Sequence, residues 1–103
     1  MHYKILETLE FQKWRFKQEA HVRVLIANRL EKIEEEGHFG IHKYLKHNIW
    51  ELKWANGQRV YYAHFPPKNI LILLGGNKNG QEKDITKAKK ILEKYSQKEN
   101  IEA

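Results

Sequence analysis

A short apolar run in the second half of the chain constrains its fold more than any other feature. Five consecutive apolar residues, Ile70–Leu74, lie between Pro66-Pro67 and Gly75-Gly76. A half-buried strand alternates apolar with polar residues, whereas a continuous run of this length between turn-forming residues is typical of a strand that is buried on both faces. We therefore predict a central strand at this position.

The residues before this run predict a β-hairpin. Apolar and polar side chains alternate over Ile49–Trp54 and again over Arg59–His64. A two-residue loop between these strands would mix core and charged residues on each face of the hairpin. A three-residue loop over residues 55–57, with its glycine in the left-handed conformation, places Leu52 opposite Val60 on the core side instead. We predict the three-residue loop.

The other side of the predicted hairpin carries charge. There Lys53 faces Arg59, and Glu51 faces Tyr61. Two cations directly opposite each other on paired strands destabilise the pair unless an anion relieves them. That anion is either Glu51, in a surface ion network that needs no ligand, or a bound phosphate, beside which Tyr61 can stack a base. The residues alone leave both interpretations open.

Helices are predicted on both sides of the hairpin and central strand. After a short strand over Tyr3–Glu7, Thr8 can cap a first helix, and a second helix covers Ala20–Glu36 with Gly37 as its C-cap. The last helix has an apolar stripe formed by Ile85, Ala88, Leu92 and Tyr95. The order β-α-α-β-β-β-α indicates an α+β fold on a mainly antiparallel sheet.

Length and charge indicate one basic domain. The 103 residues suit a single domain over residues 1–103, with a core over about residues 3–95 and a loose tail over residues 96–103. A net charge of +6 favours an anionic partner, nucleic acid above all. The absence of cysteine excludes disulfides and thiolate metal sites. Neither a secretory signal nor a membrane-crossing run is evident, so we expect a cytoplasmic protein.

Two further segments carry candidate phosphate ligands. The glycine-rich stretch over residues 75–81 lacks the Lys-Ser/Thr pair of a P-loop, so we predict a donor-rich turn whose Lys78 can reach the hairpin's ligand. Lysines form a stripe on the last helix, which either tracks phosphates or is simply its solvated face. This stripe consists of Lys83, Lys87, Lys90 and Lys94. The six histidines show no metal-binding pattern.

Several of these motifs together resemble one known family. They are Trp50-Glu51-Leu52-Lys53, Arg59-Val60-Tyr61-Tyr62, Leu73-Leu74-Gly75-Gly76-Asn77-Lys78, Gln81, Lys83-Asp84-Ile85 and Ala88-Lys89. The pattern is similar to that of the addiction-module killer proteins, also called phage-derived Gp49-like or HigB-like toxins, of the RelE/ParE superfamily. The most specific part is the Leu-Leu-Gly-Gly-x-Lys-x-x-Gln block, and the resemblance covers most of residues 3–95.

The resemblance implies a fold, a partner and an activity. The fold would be RelE-like, with two N-terminal helices and a C-terminal helix around a curved, mainly antiparallel sheet of four to five strands. The chain would be the toxin of a type II toxin–antitoxin system, held inactive by a cognate helix-turn-helix antitoxin. It would act on mRNA on the ribosome as a metal-independent endoribonuclease, or mRNA interferase, that inhibits translation.

The resemblance also implies roles for individual residues. Lys53 and Arg59 would stabilise the charge that develops on the phosphorane, Lys78 would bind phosphate or assist proton transfer, and Tyr61 would orient or stack a nucleotide. Further RNA contacts would come from Gln81, Lys83 and Lys87. We also expect Arg59→Ala to abolish toxicity with little loss of stability.

One departure from the family pattern keeps other functions open. Lys53 stands where the family typically has arginine, and lysine lacks the bidentate fork of a guanidinium. Two alternatives remain at this point: a ParE-like inhibitor of DNA gyrase, and a nucleic-acid-binding module without catalysis.

Overall fold

A five-stranded sheet between helices forms the part of the chain that the structure describes. The computed structural model describes residues 2–102, and the side chains of residues 2–97. The elements are β1 (Lys4–Glu7), α1 (Leu9–Phe16), α2 (Ala20–Glu36), β2 (His42–Lys46), β3 (Ile49–Lys53), β4 (Gln58–Phe65), β5 (Asn69–Asn77) and α3 (Gln81–Glu102). A 3₁₀ turn, Lys78–Gly80, leads into α3. The predicted α+β class is confirmed.

The sheet has the strand order β1-β5-β4-β3-β2. β1 pairs in parallel with β5, and the other neighbours are antiparallel. β2 was not predicted from the sequence. Four of the five side chains of this strand are exposed, because β2 forms an edge of the sheet, so it lacks the apolar pattern by which strands are predicted.

Helices cover both faces of the sheet, and each face contributes a separate core. On the first face, under α1 and α2, the core consists of Phe11, Ile26, Leu30, Ile33, Leu52, Val60, Tyr62, Ile70 and Ile72. On the second face, under α3, it consists of Ile49, Tyr61, Ala63, Leu71, Leu73, Leu74, Ala88, Ile91 and Leu92. β5 contributes Ile70 and Ile72 to the first core and Leu71, Leu73 and Leu74 to the second, which confirms the prediction of a strand buried on both faces.

The two glycines that end the apolar run let a helix approach each face of β5. A Cβ atom at position 75 would lie 2.2 Å from Cζ3 of Trp14 in α1, and one at position 76 would lie 2.1 Å from Oδ2 of Asp84 in α3. Both distances are shorter than any van der Waals contact. The glycine pair therefore fixes how closely the two helices pack against β5.

Three local features predicted from the sequence are present: the N-cap of α1, the C-cap of α2 and the loop of the hairpin. The Thr8 hydroxyl accepts a hydrogen bond from the Phe11 N–H at 3.0 Å and donates one to the Leu73 carbonyl at 2.9 Å, so this cap also ties α1 to β5. Gly37 ends α2 with a φ of 69°. In the hairpin, Leu52 pairs with Val60 and a three-residue loop connects the strands, as predicted.

The predicted loose tail falls largely on residues that the structure does not describe in full. Ser96 and Gln97 continue α3, whose backbone extends to Glu102. The side chains of residues 98–103 lie outside the described residues. The loose tail over residues 96–103 therefore stays a prediction.

Candidate functional site

The second face of the sheet brings the predicted site residues together where the β3–β4 hairpin meets the start of α3. The register pairs Lys53 with Arg59 and Glu51 with Tyr61, as the three-residue loop requires. Gln81, in the first turn of α3, reaches this end of the hairpin. Residues from the hairpin and from α3 thus form one polar cluster at the edge of the second core.

A buried carboxylate lies at the centre of this cluster. Glu51 has no exposed surface, although it belongs to a residue type that is almost never fully buried without partners. Its Oε2 accepts a hydrogen bond of 2.5 Å from Nε2 of Gln81 and lies 3.9 Å from Nε of Arg59. Its Oε1 has no hydrogen-bond partner among the described residues. Glu51 lies in β3 and therefore connects Arg59 of β4 with Gln81 of α3.

Arg59 is largely buried and braces the hairpin turn. Only 11% of its side chain is exposed. Its Nη1 donates hydrogen bonds to the carbonyl oxygens of Trp54, at 3.2 Å, and Gln58, at 2.8 Å. The guanidinium is therefore held mainly by the protein, since its Nε is also buried. Because it holds these carbonyls and faces Glu51, we expect Arg59→Ala to lower stability, in place of the small effect expected from the sequence.

Tyr61 lies in the core and not on the surface. Its side chain is fully buried beneath α3. Burial raises the pKa of the phenol well above its usual value, and the nearby carboxylates of Glu51 and Asp84 raise it further. The structure therefore corrects the expectation that Tyr61 stacks a nucleotide, since its ring packs against α3 and leaves no face for a base. The strand pattern predicted an open face for Tyr61, because the pattern does not show that α3 packs on that side.

Two lysines supply positive charge at the surface of the cluster. Lys53 is half-buried and Lys78 is exposed. The N–H of Lys78 donates a hydrogen bond of 2.9 Å to the carbonyl of Gly57, so the 3₁₀ turn is attached directly to the hairpin loop. This attachment places Lys78 beside the hairpin, as the sequence analysis predicted.

Two members of the site were missed by the pattern analysis. Lys43 of β2 is exposed and pairs with Glu51, which places it on the second face. It was missed because β2 itself was not predicted. Asp84 is half-buried, its Oδ2 lies over Gly76, and burial raises the pKa of its carboxyl, an effect that the nearby Lys87 partly offsets. The spacing of three from Gln81 was the available signal, since it places both side chains on one helix face.

The remaining residues predicted to contact RNA differ in whether their side chains are exposed or bonded within the protein. Lys83 and Lys87 are exposed on α3. The amide nitrogen of Gln81, by contrast, is bound to Glu51, so this side chain acts first as a link within the protein. RNA binding by these three residues stays a prediction.

The described residues form neither a metal-binding cluster nor a membrane-crossing helix. No group of three or more His, Asp or Glu side chains in this part of the chain could hold a metal ion. None of the helices described is long and apolar enough to cross a membrane.

Comparison of the sequence with known proteins gives two matches. A family model described as phage derived protein Gp49-like matches residues 13–96. An uncharacterized protein of Haemophilus influenzae is 34% identical over 89 residues, which are 84% of this chain and 89% of that relative.

Comparison of the fold gives solved structures of toxins. The E. coli toxin RelE, as a mutant in the free state, aligns with a TM-score of 0.71 over 87% of this chain and 97% of its own, at 19% identity. A chain of the RelBE2 toxin–antitoxin complex from Mycobacterium tuberculosis aligns with a TM-score of 0.63 over 75% of this chain and 99% of its own, at 12% identity. At these identities the likeness concerns the fold.

Proposed function

Since the chain belongs to the phage-derived Gp49-like family and has the fold of RelE toxins, we propose that it is the toxin of a type II toxin–antitoxin pair that cleaves mRNA on the ribosome. The observation that carries this proposal is the placement of three cations at one end of the sheet: Lys53 is paired with Arg59, and the turn that holds Lys78 is bonded to the hairpin loop. Three cationic groups at one surface suit the charge of a phosphodiester in reaction.

RNA can be cleaved without a metal ion, because its own 2′-oxygen is the nucleophile and the site needs only to stabilise charge and accept a proton. The 2′-oxygen attacks the adjacent phosphorus, and the bond to the 5′-oxygen breaks. A 2′,3′-cyclic phosphate results, and the departing 5′-oxygen takes up a proton from solvent to become a 5′-hydroxyl. Lys53 and Lys78 would stabilise the charge on the phosphorane oxygens, and the largely buried Arg59 would add to their field. Glu51 would hold Arg59 and Gln81 in place, because it is buried and contacts both without reaching solvent.

Asp84 is the candidate for the group that accepts the 2′-hydroxyl proton. It is half-buried at the edge of the cluster, on the α3 face that carries Gln81. The raised pKa of its carboxyl makes it a stronger base than an ordinary aspartate, and a base is most effective when its pKa approaches the working pH.

The partner of the protein would be an antitoxin. Two of the structural neighbours are toxin–antitoxin complexes, RelBE of E. coli and RelBE2 of M. tuberculosis. We propose that this chain is likewise held inactive by a cognate helix-turn-helix protein, and that it acts in the cytoplasm, where ribosomes and mRNA meet.

Induced expression in a bacterial host tests the proposal. Cellular mRNA is followed by primer extension over minutes, for the wild type, for the Lys53→Ala/Lys78→Ala variant and for a control, Lys13→Ala/Lys17→Ala, which removes the same charge from the exposed side of α1. We expect growth arrest and new 5′ ends within translated regions for the wild type and the control, but not for the site variant.

Other outcomes would contradict the proposal. Growth arrest with intact mRNA would indicate another target, such as DNA gyrase. RNA binding without arrest or cleavage would indicate a binding module without catalysis. Equal cleavage by the site variant and the control would show that the cationic cluster is not the active site.

A further inference from the structure

Aromatic and imidazole rings form a continuous cluster on the first face of the sheet, on the side away from the candidate site. The members are Tyr3, Phe39, His42, Tyr44, Trp50, Tyr62 and His64. The distances between neighbouring ring centroids range from 4.7 Å, for Tyr44 and Trp50, to 6.3 Å, for Trp50 and Tyr62. These contacts make one connected layer of rings across β2, β3 and β4.

The outer part of this layer is open to solvent. Tyr62 is fully buried, but Tyr44 is 51% exposed, His42 is exposed and Trp50 is half-buried. A single exposed aromatic residue is ordinary on a protein surface. Three adjacent rings on two paired strands are a contiguous exposed patch, and such patches mark binding surfaces. We call His42, Tyr44 and Trp50 the ring surface.

The charged residues around the ring surface favour an anionic ligand. Residues 37–50, which contain the ring surface, include no aspartate or glutamate. Arg29 of α2 is a half-buried cation beside this segment, since its Nη1 donates hydrogen bonds to the carbonyl oxygens of Phe39 and Ile41. Lys43 and Lys46 pair with Glu51 and Ile49, so they lie across the edge strand on the second face. The next residue, Glu51, is buried on the opposite face of the sheet and does not offset this charge. A partner that covers the ring surface must therefore carry negative charge close to groups that stack on aromatic rings.

We propose that the ring surface binds the bases of single-stranded RNA, with its phosphates on the neighbouring cations. Exposed aromatic faces with cations nearby are the chemistry that binds single-stranded nucleic acid, because every base has a face to stack and every link carries a charge. An acidic amphipathic peptide, the other anionic partner, needs aliphatic surface for its apolar side. Ile41 is the exposed large aliphatic residue of the described segment 37–50.

The edge strand β2 connects the ring surface to the candidate active site. His42 and Tyr44 pair with first-face residues of β3, whereas Lys43 between them pairs with Glu51 and projects from the second face. An RNA strand that crosses the β2 edge would pass from the ring surface, over Lys43, to the Lys53 side of the hairpin. This path rests on the proposed function, because the RNA that crosses the edge would be the RNA that is cut.

Binding of an RNA that cannot be cleaved tests the inference separately from cleavage. The full chain is titrated into a fluorescently labelled, 2′-O-methylated single-stranded RNA, and the dissociation constant is obtained from anisotropy. Loss of a stacked base is expected to weaken binding by Tyr44→Ala about 5- to 100-fold. Tyr44→Phe retains the ring and should bind like the wild type. Phe16→Ala, which removes a ring that is 80% exposed on α1, is the matched control and should also bind like the wild type.

The alternatives give different results. Equal affinities for Tyr44→Ala and Phe16→Ala, at unchanged thermal midpoints, would overturn the inference, as would failure of the wild type to bind the RNA. Unchanged RNA affinity together with loss of a co-purifying antitoxin in Tyr44→Ala would assign the ring surface to a protein partner, and would overturn it too. Cleavage of mRNA by the wild type with no role for Tyr44 would leave the proposed function intact and refute only the ring surface.

Discussion

At the scale of single residues, Glu51 shows why a charge is retained inside the protein. Its carboxylate connects Gln81 of α3 with Arg59 of β4, so its removal leaves a largely buried guanidinium without its counter-charge. We expect Glu51→Ala to lower the free energy of unfolding by about 3 kcal/mol, as is typical when one member of a buried ion pair is removed. Urea denaturation measures this change.

The matched control for this prediction is Glu51→Gln. It retains an oxygen that can accept the hydrogen bond from Gln81 and removes only the charge, so we expect a smaller loss of stability than for alanine. If both substitutions cost the same, the charge on Glu51 is what matters and the link to α3 contributes little. If neither has an effect, Glu51 does not hold the cluster together.

We expect substitution of Asp84 to reduce the rate of RNA cleavage more than the stability of the protein. General base catalysis contributes about 100-fold or more, so Asp84→Asn should reduce cleavage by roughly that factor. The pKa of the folded carboxyl is raised by burial, so wild-type activity should fall as the pH drops through this raised pKa. In Asp84→Asn the remaining activity should not show this pH dependence. Rates of cleavage of a defined RNA on ribosomes at several pH values measure both effects.

The stability of the same variant provides the control. Because its pKa is raised in the folded state, the charged form of Asp84 opposes folding, and this penalty develops as the pH rises from the unfolded value through the folded one. Asp84→Asn should therefore be as stable as the wild type, or slightly more stable, above that interval. A rate loss accompanied by a large loss of stability would indicate a structural role instead.

At the scale of elements, the glycine pair of β5 sets the distance to the helices. A methyl group at position 75 would overlap the ring of Trp14, whereas one at position 76 meets the end of the Asp84 side chain, which is half-buried and can rotate away. We expect Gly75→Ala to cost about 2 kcal/mol or more, as overpacked cores do, and Gly76→Ala to cost less. Thermal or urea unfolding measures both.

The Trp14→Leu substitution tests whether overlap with the Trp14 ring causes the loss of stability in Gly75→Ala. If overlap with the Trp14 ring is responsible, Gly75→Ala should cost less in the Trp14→Leu background than in the wild type, so the two changes are not additive. Additive losses would show that Gly75 is required for its backbone conformation and not for the approach of α1.

Elements with strong apolar patterns were predictable, and those without them were not. The alternation in β3 and β4 determined the hairpin register down to the Lys53–Arg59 pair, and the run in β5 marked the doubly buried strand. β2 escaped prediction because an exposed edge strand has no apolar pattern to detect. The burial of Tyr61 depends on where α3 docks, which is a long-range contact that local periodicity does not contain.

At the scale of the whole molecule, the site depends on residues that are far apart in the chain. The candidate site takes Lys53 and Arg59 from the hairpin, Lys78 from the turn after β5, and Asp84 from α3. Motif matching found the first three, because the resemblance covered them. It assigned no role to Glu51 or Asp84, whose importance arises from burial and from contacts between elements that only the folded chain shows.

The parallel pairing of β1 with β5 determines when the fold can be completed during synthesis. Lys4 pairs with Asn69, and the Thr8 hydroxyl is bonded to the Leu73 carbonyl, 65 positions further along the chain. A nascent chain that has left the ribosome only as far as β4 therefore holds β1 and α1 without the strand against which they pack. The second core forms later still, when α3 arrives. The proposed toxin would thus acquire its active form only near the end of its own translation.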